Sequence, residues 1–175
     1  MIVKDIRAGV LTVSDKGSQG LRKDESGEII FRMLKAQGFH IQQRKIIPDE
    51  LQEIVVTLLA WVDRDRLSLI VTSGGTGLSP RDVTPQAMKE IVDYEIPGMA
   101  EAMRAASLVK TPHAMLSRAM AGVRQGCLII NLPGSPGGAR DNLSVVLPAL
   151  NHAISKLAGD PSDCGTGASA PATDG

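Results

Sequence analysis

At 175 residues, with 19 basic and 19 acidic side chains, the chain is long enough for one domain with a real core and carries no formal net charge. This balance gives no electrostatic basis for binding nucleic acid or an acidic membrane surface, and the aromatic content of 2% leaves few rings for base stacking. The apolar runs are too short to cross a bilayer, the first residues lack a signal-peptide core, and two cysteines argue against a disulfide framework, so we expect a cytoplasmic protein.

The first half of the chain alternates strand and helix patterns. A stripe of apolar residues at helical spacing marks the strongest helix, which follows Pro48-Asp49-Glu50. Gly38 supplies a stop for the helix before it. The predicted elements of this half are strands at 8–13 and 40–47 and helices at 25–37 and 51–62, with a Gly/Ser loop at 14–21.

The second half continues the alternation. An almost fully apolar segment at 67–72 is typical of a strand buried on both faces of a parallel sheet. Thr84 and Pro85 are predicted to form the N-cap and first turn of a helix. The other predicted elements are a strand at 127–131 and helices at 97–107, 112–121 and 135–157.

This alternation predicts a three-layer α/β/α fold with a mostly parallel sheet. We expect a single ligand-binding domain over residues 1–157. Residues 158–175 are rich in small and polar residues and predict a flexible C-terminal tail, because such a composition buries too little apolar surface to order itself.

Three loops rich in small residues follow predicted strands, at 14–20, 72–82 and 131–138. In an open α/β sheet, ligands bind beyond the carboxyl ends of the strands, so all three loops should meet at one edge. Strand-to-helix loops are often rich in Gly, Ser and Pro for structural reasons alone. The occurrence of three such loops together favours a shared ligand site.

The middle loop carries the sharpest signal, with Ser73, Gly74, Gly75, Thr76 and Gly77 in succession. Glycines allow close approach to an anion, and successive N–H groups can form an anion-binding nest. Neither the P-loop pattern nor the Rossmann fingerprint is present. The loop therefore predicts phosphate binding without identifying the phosphate compound.

Two carboxylates are candidates for holding a metal ion. Asp82 follows the glycine loop, where it would repel a phosphate unless a cation such as Mg²⁺ lay between them. It could equally be a surface residue that stabilises a helix N-terminus. Asp49 shares this ambiguity, and from the sequence alone an N-cap of the following helix is its better explanation.

The third loop contains Gly134 and Ser135 at the start of a predicted helix. A serine nucleophile is rejected, because Pro133 breaks the Gly-x-Ser-x-Gly pattern and Pro136 removes an N–H that an oxyanion hole would need. Ser135 is predicted to be an N-cap that can also contact ligand phosphate. The three histidines lack the spacing of a zinc site.

These motifs together resemble the molybdopterin adenylyltransferases of the MogA/MoaB type, whose domain also occurs as the G domain of gephyrin. The likeness covers about residues 4–157. The matching segments are Val-Leu-Thr-Val-Ser-Asp at 10–15, Thr-Ser-Gly-Gly-Thr-Gly-x-x-x-Arg-Asp at 72–82 with Thr-Pro at 84–85, and Asn-Leu-Pro-Gly-Ser-Pro at 131–136.

The resemblance implies a molybdopterin-binding-domain-like fold, a homotrimer and a role in molybdenum cofactor biosynthesis. The implied reaction is Mg²⁺-dependent transfer of AMP from ATP to the terminal phosphate of molybdopterin, with release of pyrophosphate. A separate protein would then insert molybdate. By position, Asp82 and Asp49 match the family's acidic residues, and Ser14 and Asp15 match a first loop that helps to form the pocket.

One position departs from the family pattern. The third loop of the family often carries a basic residue after Ser-Pro, where this chain has Gly137. Arg140, one turn further on, is a possible replacement.

Two other functions remain open at this stage. One is a nucleotide hydrolase like the competence-damage-inducible proteins, although their loop usually ends in two adjacent acids. The other is a non-catalytic molybdopterin-binding scaffold or paralogue. The presence of both Asp49 and Asp82 favours an enzyme.

Overall fold

The computed structural model describes residues 6–161. Within them, six strands form one sheet in the order β2-β1-β3-β6-β5-β4. The first four strands in this order are parallel, and β5 and β4 complete the sheet through antiparallel pairs. The strands are β1 (Arg7–Val13), β2 (His40–Ile47), β3 (Leu69–Ser73), β4 (Tyr94–Glu95), β5 (Ala121–Arg124) and β6 (Cys127–Leu132).

Helices cover both faces of the sheet. They are α1 (Asp15–Ser18), α2 (Glu25–Ala36), α3 (Leu51–Leu59), α4 (Thr84–Ile91), α5 (Pro97–Leu108) and α6 (Pro136–Leu157). A π-helical turn at Ala60–Arg64 continues α3, and a 3₁₀ turn at Pro112–Leu116 follows α5. This arrangement confirms the predicted three-layer fold with a mostly parallel sheet.

Alternating side chains of the strands feed two separate cores. Val10 of β1 packs in the cluster with α2, α5 and α6, whereas its neighbour Leu11 packs in the cluster with α3 and α4. Both side chains are completely buried, as are Ile30 of α2 and Ile54 of α3. Each such side chain contributes roughly 1.5–3 kcal/mol when removed from water. The two cores hold the carboxyl ends of the parallel strands rigidly at one edge.

The helix predicted at 112–121 is wrong. Only a 3₁₀ turn forms at Pro112–Leu116, and Ala121–Arg124 becomes strand β5, paired antiparallel with β6. The two strands are joined at Gln125 and Gly126, whose φ angles of 45° and 79° suit a tight hairpin turn. Of the predicted helix only Ala121 lies in a strand, and residues 117–120 are neither helical nor extended into a strand. The short strand β4 at the same edge was not predicted.

Three local predictions also differ from the structure. Asp49 is not an N-cap, because α3 begins after Glu50, and Glu50 itself makes no capping side-chain bond. Thr84 is the first residue of α4 and not its N-cap, a position that Val83 occupies. In the predicted loop at 14–21, Ser14 accepts a hydrogen bond from the Gly17 N–H and starts the short helix α1.

The last helix ends at the residue that the sequence predicted. Helix α6 ends at Leu157, and Ala158 is its C-cap. Most of the predicted tail, residues 162–175, lies outside the described residues. Within residues 6–161, no helix is long and apolar enough to span a membrane.

Candidate active site

A cleft of about 430 Å³ lies beyond the carboxyl ends of β1, β2, β3 and β6. Strand β2 lies on one side of β1, and β3 followed by β6 lies on the other side. The connection after β1 and the connection after β3 therefore lead to opposite sides, and a crevice opens between these two loops. Most of the predicted site residues line this cleft: Ser14, Asp49, Ser73, Gly74, Gly75, Asp82, Gly134 and Ser135. Asp15, Thr76 and Gly77 do not.

The glycine loop is held in a conformation that requires glycine. Gly74 and Gly75 have φ angles of 101° and 65°. A Cβ at Gly74 would overlap the carbonyl oxygen of Val13, and one at Gly75 would overlap the hydroxyl of Thr84. The N–H of Gly74 donates to the Leu132 carbonyl at 3.0 Å, so this group is not available to an anion. The Gly75 N–H has no such partner among the described residues, and Gly75 lines the cleft.

Asn131 and Arg118 hold this loop in place through hydrogen bonds. The buried Asn131 amide donates to the Thr72 hydroxyl at 3.0 Å and to the Gly74 carbonyl at 3.1 Å. Arg118 donates through Nε to the Gly77 carbonyl at 2.8 Å and through Nη2 to the Asp82 carbonyl. No sequence pattern singles out Arg118, because it lies far along the chain in a segment predicted to be helical.

The same loop separates the cleft from a second cavity of about 280 Å³. Thr76 and Gly77 line this second cavity, whereas Gly74 and Gly75 line the cleft, and Ser135 lines both. Apolar groups of Leu116 and Pro133 form part of its wall. Other lining groups are polar: Arg104, Ser107, Thr111, His113, Ser117 and Asn142. Two cavities therefore share a wall at the glycine loop.

Asp82 and Asp49 face the same cleft from different loops. Asp82 accepts a hydrogen bond from the Ser79 N–H through Oδ2 at 2.9 Å. Asp49 accepts one from the Asp15 N–H through Oδ2 at 2.8 Å. Burial raises the pKa of Asp49, and the negative charges of Asp15 and Asp82 raise it further, although the Asp15 N–H bond opposes them. Asp82 is thus near enough for its charge to act on Asp49.

Arg22 and Lys23 also line the cleft, in the segment between α1 and α2. Both are exposed, and neither forms an ion pair within residues 6–161. The carboxylate of the neighbouring Asp24 already has hydrogen-bond partners, because it caps α2 and accepts a hydrogen bond from the Thr12 hydroxyl at 3.0 Å. Arg140, the replacement suggested by sequence, does not line the cleft. The cations of this site come from a different loop.

Two helices begin at the cleft. The first turn of α2 brings Ser26, whose hydroxyl lies 2.9 Å from the Ser73 hydroxyl. The first turn of α6 follows Ser135, whose hydroxyl accepts from the Gly138 N–H at 3.2 Å, as predicted for an N-cap. The partial positive charge at the N-terminus of α6 favours an anion, because its first turn has no acidic side chain, whereas the N-terminus of α2 already carries Asp24, Glu25 and Glu28. Together with the exposed Arg22 and Lys23 and the carboxylates of Asp49 and Asp82, the cleft is suited to a polyphosphate with a bound cation.

Comparisons with known proteins agree with this geometry. Residues 9–152 match a family described as a probable molybdopterin binding domain. A molybdopterin adenylyltransferase of Helicobacter pylori is 39% identical over 163 residues, which cover 90% of this chain and 91% of that protein. Gephyrin of Dictyostelium discoideum is 44% identical over 163 residues, covering 87% of this chain. The chain spans only 23% of the length of that gephyrin.

Solved structures show the same likeness. The molybdopterin biosynthesis enzyme MoaB of Thermus thermophilus superposes with a TM-score of 0.84 and 51% identity, covering 89% of this chain and 98% of that one. The CinA protein of Thermoplasma acidophilum superposes with a TM-score of 0.64 over 84% of this chain and 99% of that one. Its identity of 18% supports a shared fold alone.

Proposed function

Because the chain belongs to the probable molybdopterin binding domain family, we propose that it is a molybdopterin adenylyltransferase of molybdenum cofactor biosynthesis. It transfers the adenylyl group of ATP to the terminal phosphate of molybdopterin. The observation that carries this function is the single cleft in which Asp49 and Asp82, the glycine loop and two free cations meet. Relatives named molybdopterin adenylyltransferase cover nearly the whole domain.

The cleft is the proposed ATP site. Arg22 and Lys23 would neutralise the triphosphate, the Gly75 N–H would donate to a phosphate oxygen, and the first turn of α6, which has no acidic side chain, would add its positive end. Arg22 and Lys23, which line the cleft, would supply the positive charge that Gly137 of the third loop does not. Such positioning and charge neutralisation supply most of the catalysis in nucleotidyl transfer.

The carboxylate pair fits Mg²⁺. Asp49 and Asp82 each use Oδ2 for a backbone N–H, which leaves their Oδ1 atoms for a cation. Within the described residues no cluster of three or more acidic, His or Cys side chains forms a complete metal cage. Mg²⁺ suits such a site, because it commonly binds one or two carboxylates together with substrate phosphates and water. Bound there, it would neutralise charge that develops on the phosphates.

The second cavity is the proposed place for the pterin. Its apolar wall and surrounding hydroxyls suit a flat heterocycle with hydrogen-bonding edges, and it meets the ATP cleft at Ser135. An oxygen of the molybdopterin phosphate attacks the α-phosphorus of ATP, a new P–O bond forms, and the bond to the β-phosphate breaks, releasing pyrophosphate. The attacking phosphate is already ionised at neutral pH, so no general base is needed.

The finer features implied by the resemblance belong to the same proposal. The protein is a homotrimer in the cytoplasm, and a separate protein inserts molybdate into its product. The segment after α5 supports an oligomer, because Val109 and Met115 are 89% and 64% exposed there. Exposed apolar side chains that are close together commonly mark an interface.

Replacing Asp82 tests this function. Asp82→Asn keeps an oxygen for the Ser79 N–H but removes the charge that would hold Mg²⁺, so adenylyl transfer should fall by at least about a hundredfold. The matched control is Asp65→Asn, a carboxylate that pairs with Arg64 and does not line the cleft. Full turnover by a folded Asp82→Asn protein would remove Asp82 from the mechanism.

A further inference from the structure

Arg81 links three loops at the edge of the cleft. It lies directly before Asp82 and reaches the loop after β1, where Nε and Nη2 donate to the two Asp15 oxygens at 3.1 and 2.8 Å. Its third nitrogen, Nη1, lies 2.7 Å from Glu50 Oε1 in the loop after β2. One guanidinium therefore contacts both of the other acidic loops.

Asp15 also forms hydrogen bonds with Asp49. Asp15 Oδ1 accepts from the Asp49 N–H at 3.0 Å, and Asp49 Oδ2 accepts from the Asp15 N–H at 2.8 Å. The side chain of Asp15 is thus fully used by Arg81 and Asp49, and it does not line the cleft. A continuous path of hydrogen bonds runs from the residue before Asp82 to the carboxylate of Asp49.

We propose that Arg81 is a positioning residue that fixes the separation between the carboxylates of Asp49 and Asp82. This inference rests on the proposed function, in which these two carboxylates share a divalent cation. A cation site made of side chains from separate loops needs those loops held at a constant distance, and groups behind the ligands usually provide this. The fork of Arg81 provides it here, because its planar guanidinium meets the Asp15 carboxylate through two parallel bonds.

A purely structural ion pair would not account for the arrangement. Arg81 is 51% exposed, and an isolated exposed pair adds little stability. Two other forks occur among the described residues, between the adjacent Arg64 and Asp65 and between Arg124 and Asp63, 61 residues apart, and neither lies at the cleft. The Arg81 fork instead joins positions 66 residues apart, on two loops that both reach the cleft.

Charge and position give opposite expectations for a metal-binding experiment. Removing a cation beside a metal site tightens metal binding if charge alone matters, whereas losing the geometry weakens it. The variants are Arg81→Gln, which removes the charge, and Arg81→Lys, which keeps the charge but loses the fork. The probe is Mn²⁺ with α,β-methylene-ATP, titrated by electron paramagnetic resonance, with analogue binding without metal measured by calorimetry.

Positioning predicts that both variants weaken Mn²⁺ binding by roughly tenfold or more, while analogue binding without metal is unchanged. Arg64→Gln, the matched control, should bind Mn²⁺ as the parent protein does. Arg81→Gln should add little in an Asp15→Ala background, since both changes remove the fork and only the contact between Arg81 and Glu50 remains. Tighter Mn²⁺ binding by Arg81→Gln, or parental binding by Arg81→Lys in a folded protein, would overturn the inference.

The result can be separated from the proposed reaction. If the parent protein transfers no adenylyl group but the Arg81 variants still lose Mn²⁺ affinity, the reaction is wrong and the positioning role stands. If the parent protein is active and both variants bind Mn²⁺ normally, the positioning role is wrong and the reaction stands.

Discussion

Asp15 and Asp49 each accept a hydrogen bond from the backbone N–H of the other, at 3.0 and 2.8 Å. This reciprocal pair ties the loop after β1 to the loop after β2. Asp49 lies one residue before the N-cap position of α3, which Glu50 occupies, and its Oδ2 bonds across to Asp15. It also brings two like charges together beside the cleft, a cost that Arg81 reduces by lowering the pKa of Asp15 through its hydrogen bonds.

Asp49→Asn should separate activity from stability. Asparagine keeps an oxygen for the Asp15 N–H but removes a carboxylate whose pKa burial raises. Because the pKa of Asp49 is higher in the folded protein than in the unfolded chain, the ionised carboxylate lowers the free energy of unfolding at pH values above that pKa. This loss of stability disappears as the pH falls toward the ordinary pKa of 3.8. The variant should therefore be at least as stable as the parent at neutral pH, with the difference shrinking in acid, while adenylyl transfer falls.

Asp63→Asn is the control for that experiment, because it should change stability in the opposite direction. Hydrogen bonds from Arg124 lower the pKa of Asp63, so its charge stabilises the fold above 3.8, and this contribution is lost as pH falls through the lowered value. Asp63→Asn should be less stable at neutral pH and equal to the parent in acid. Chemical denaturation without divalent cations measures both. A less stable Asp49→Asn protein at neutral pH would contradict the expected cost of the Asp49 charge.

Each of the two cations that line the cleft should contribute separately to ATP binding. Arg22→Ala and Lys23→Ala should each weaken ATP binding by about 1 kcal/mol, roughly fivefold, with a reduced dependence on salt. Lys16→Ala is the matched control, because Lys16 is exposed in the same region but does not line the cleft. Calorimetric titration of all three variants at two salt concentrations gives the comparison. Equal losses at Lys16 and Lys23 would indicate a general charge effect.

Gly75→Ala should weaken ATP binding more than Thr76→Ala. An alanine at φ 65° is strained by roughly 1–2 kcal/mol, and its Cβ would overlap the buried Thr84 hydroxyl, which has no hydrogen-bond partner within residues 6–161. Thr76→Ala removes one hydroxyl of a residue that lines the second cavity, about 0.5–1.5 kcal/mol. In a Thr84→Ala background the overlap is relieved, so Gly75→Ala should then cost less. Titration of ATP with Mg²⁺ into each protein tests the order.

Light scattering tests the proposed trimer. The parent protein should have three times the chain mass at micromolar concentration, and Val109→Glu should lower that mass if the exposed apolar segment after α5 lies in the interface. The exposed Lys16→Ala substitution should leave the mass unchanged. A monomer mass for the parent protein would exclude the trimer.

The sequence predicted the elements that have strong local patterns. Helix α2, with Gly38 at φ 86°, lies where periodicity and the glycine stop placed it, and the strand β2 was placed correctly from a weaker pattern. The convergence of the three loops, which brings Asp82 to the cleft, also followed from the rule for parallel strands, whereas the loop after β2, which brings Asp49 there, was not among them.

The errors arose where long-range pairing decides the structure. The segment at 112–121 has helical spacing, but only a 3₁₀ turn forms at Pro112–Leu116, the Arg118 N–H donates to the Thr76 carbonyl, and Ala121 begins β5. Arg118 and Arg81 act through contacts 41 and 66 residues away along the chain, which no local pattern reveals. Asp49 looked like a cap because the sequence does not show that Asp15 lies beside it. Arg22 and Lys23 lacked a motif of their own.

The most direct test of the central claim is transfer of label from [α-³²P]ATP. With molybdopterin and Mg²⁺, the parent protein should move the label into an adenylyl-molybdopterin product and release one pyrophosphate for each product formed. Omitting molybdopterin should stop both. Release of labelled AMP without a pterin product would indicate a hydrolase, and tight binding of molybdopterin with no transfer would indicate a scaffold. Either result would contradict the assignment of this cleft to adenylyl transfer.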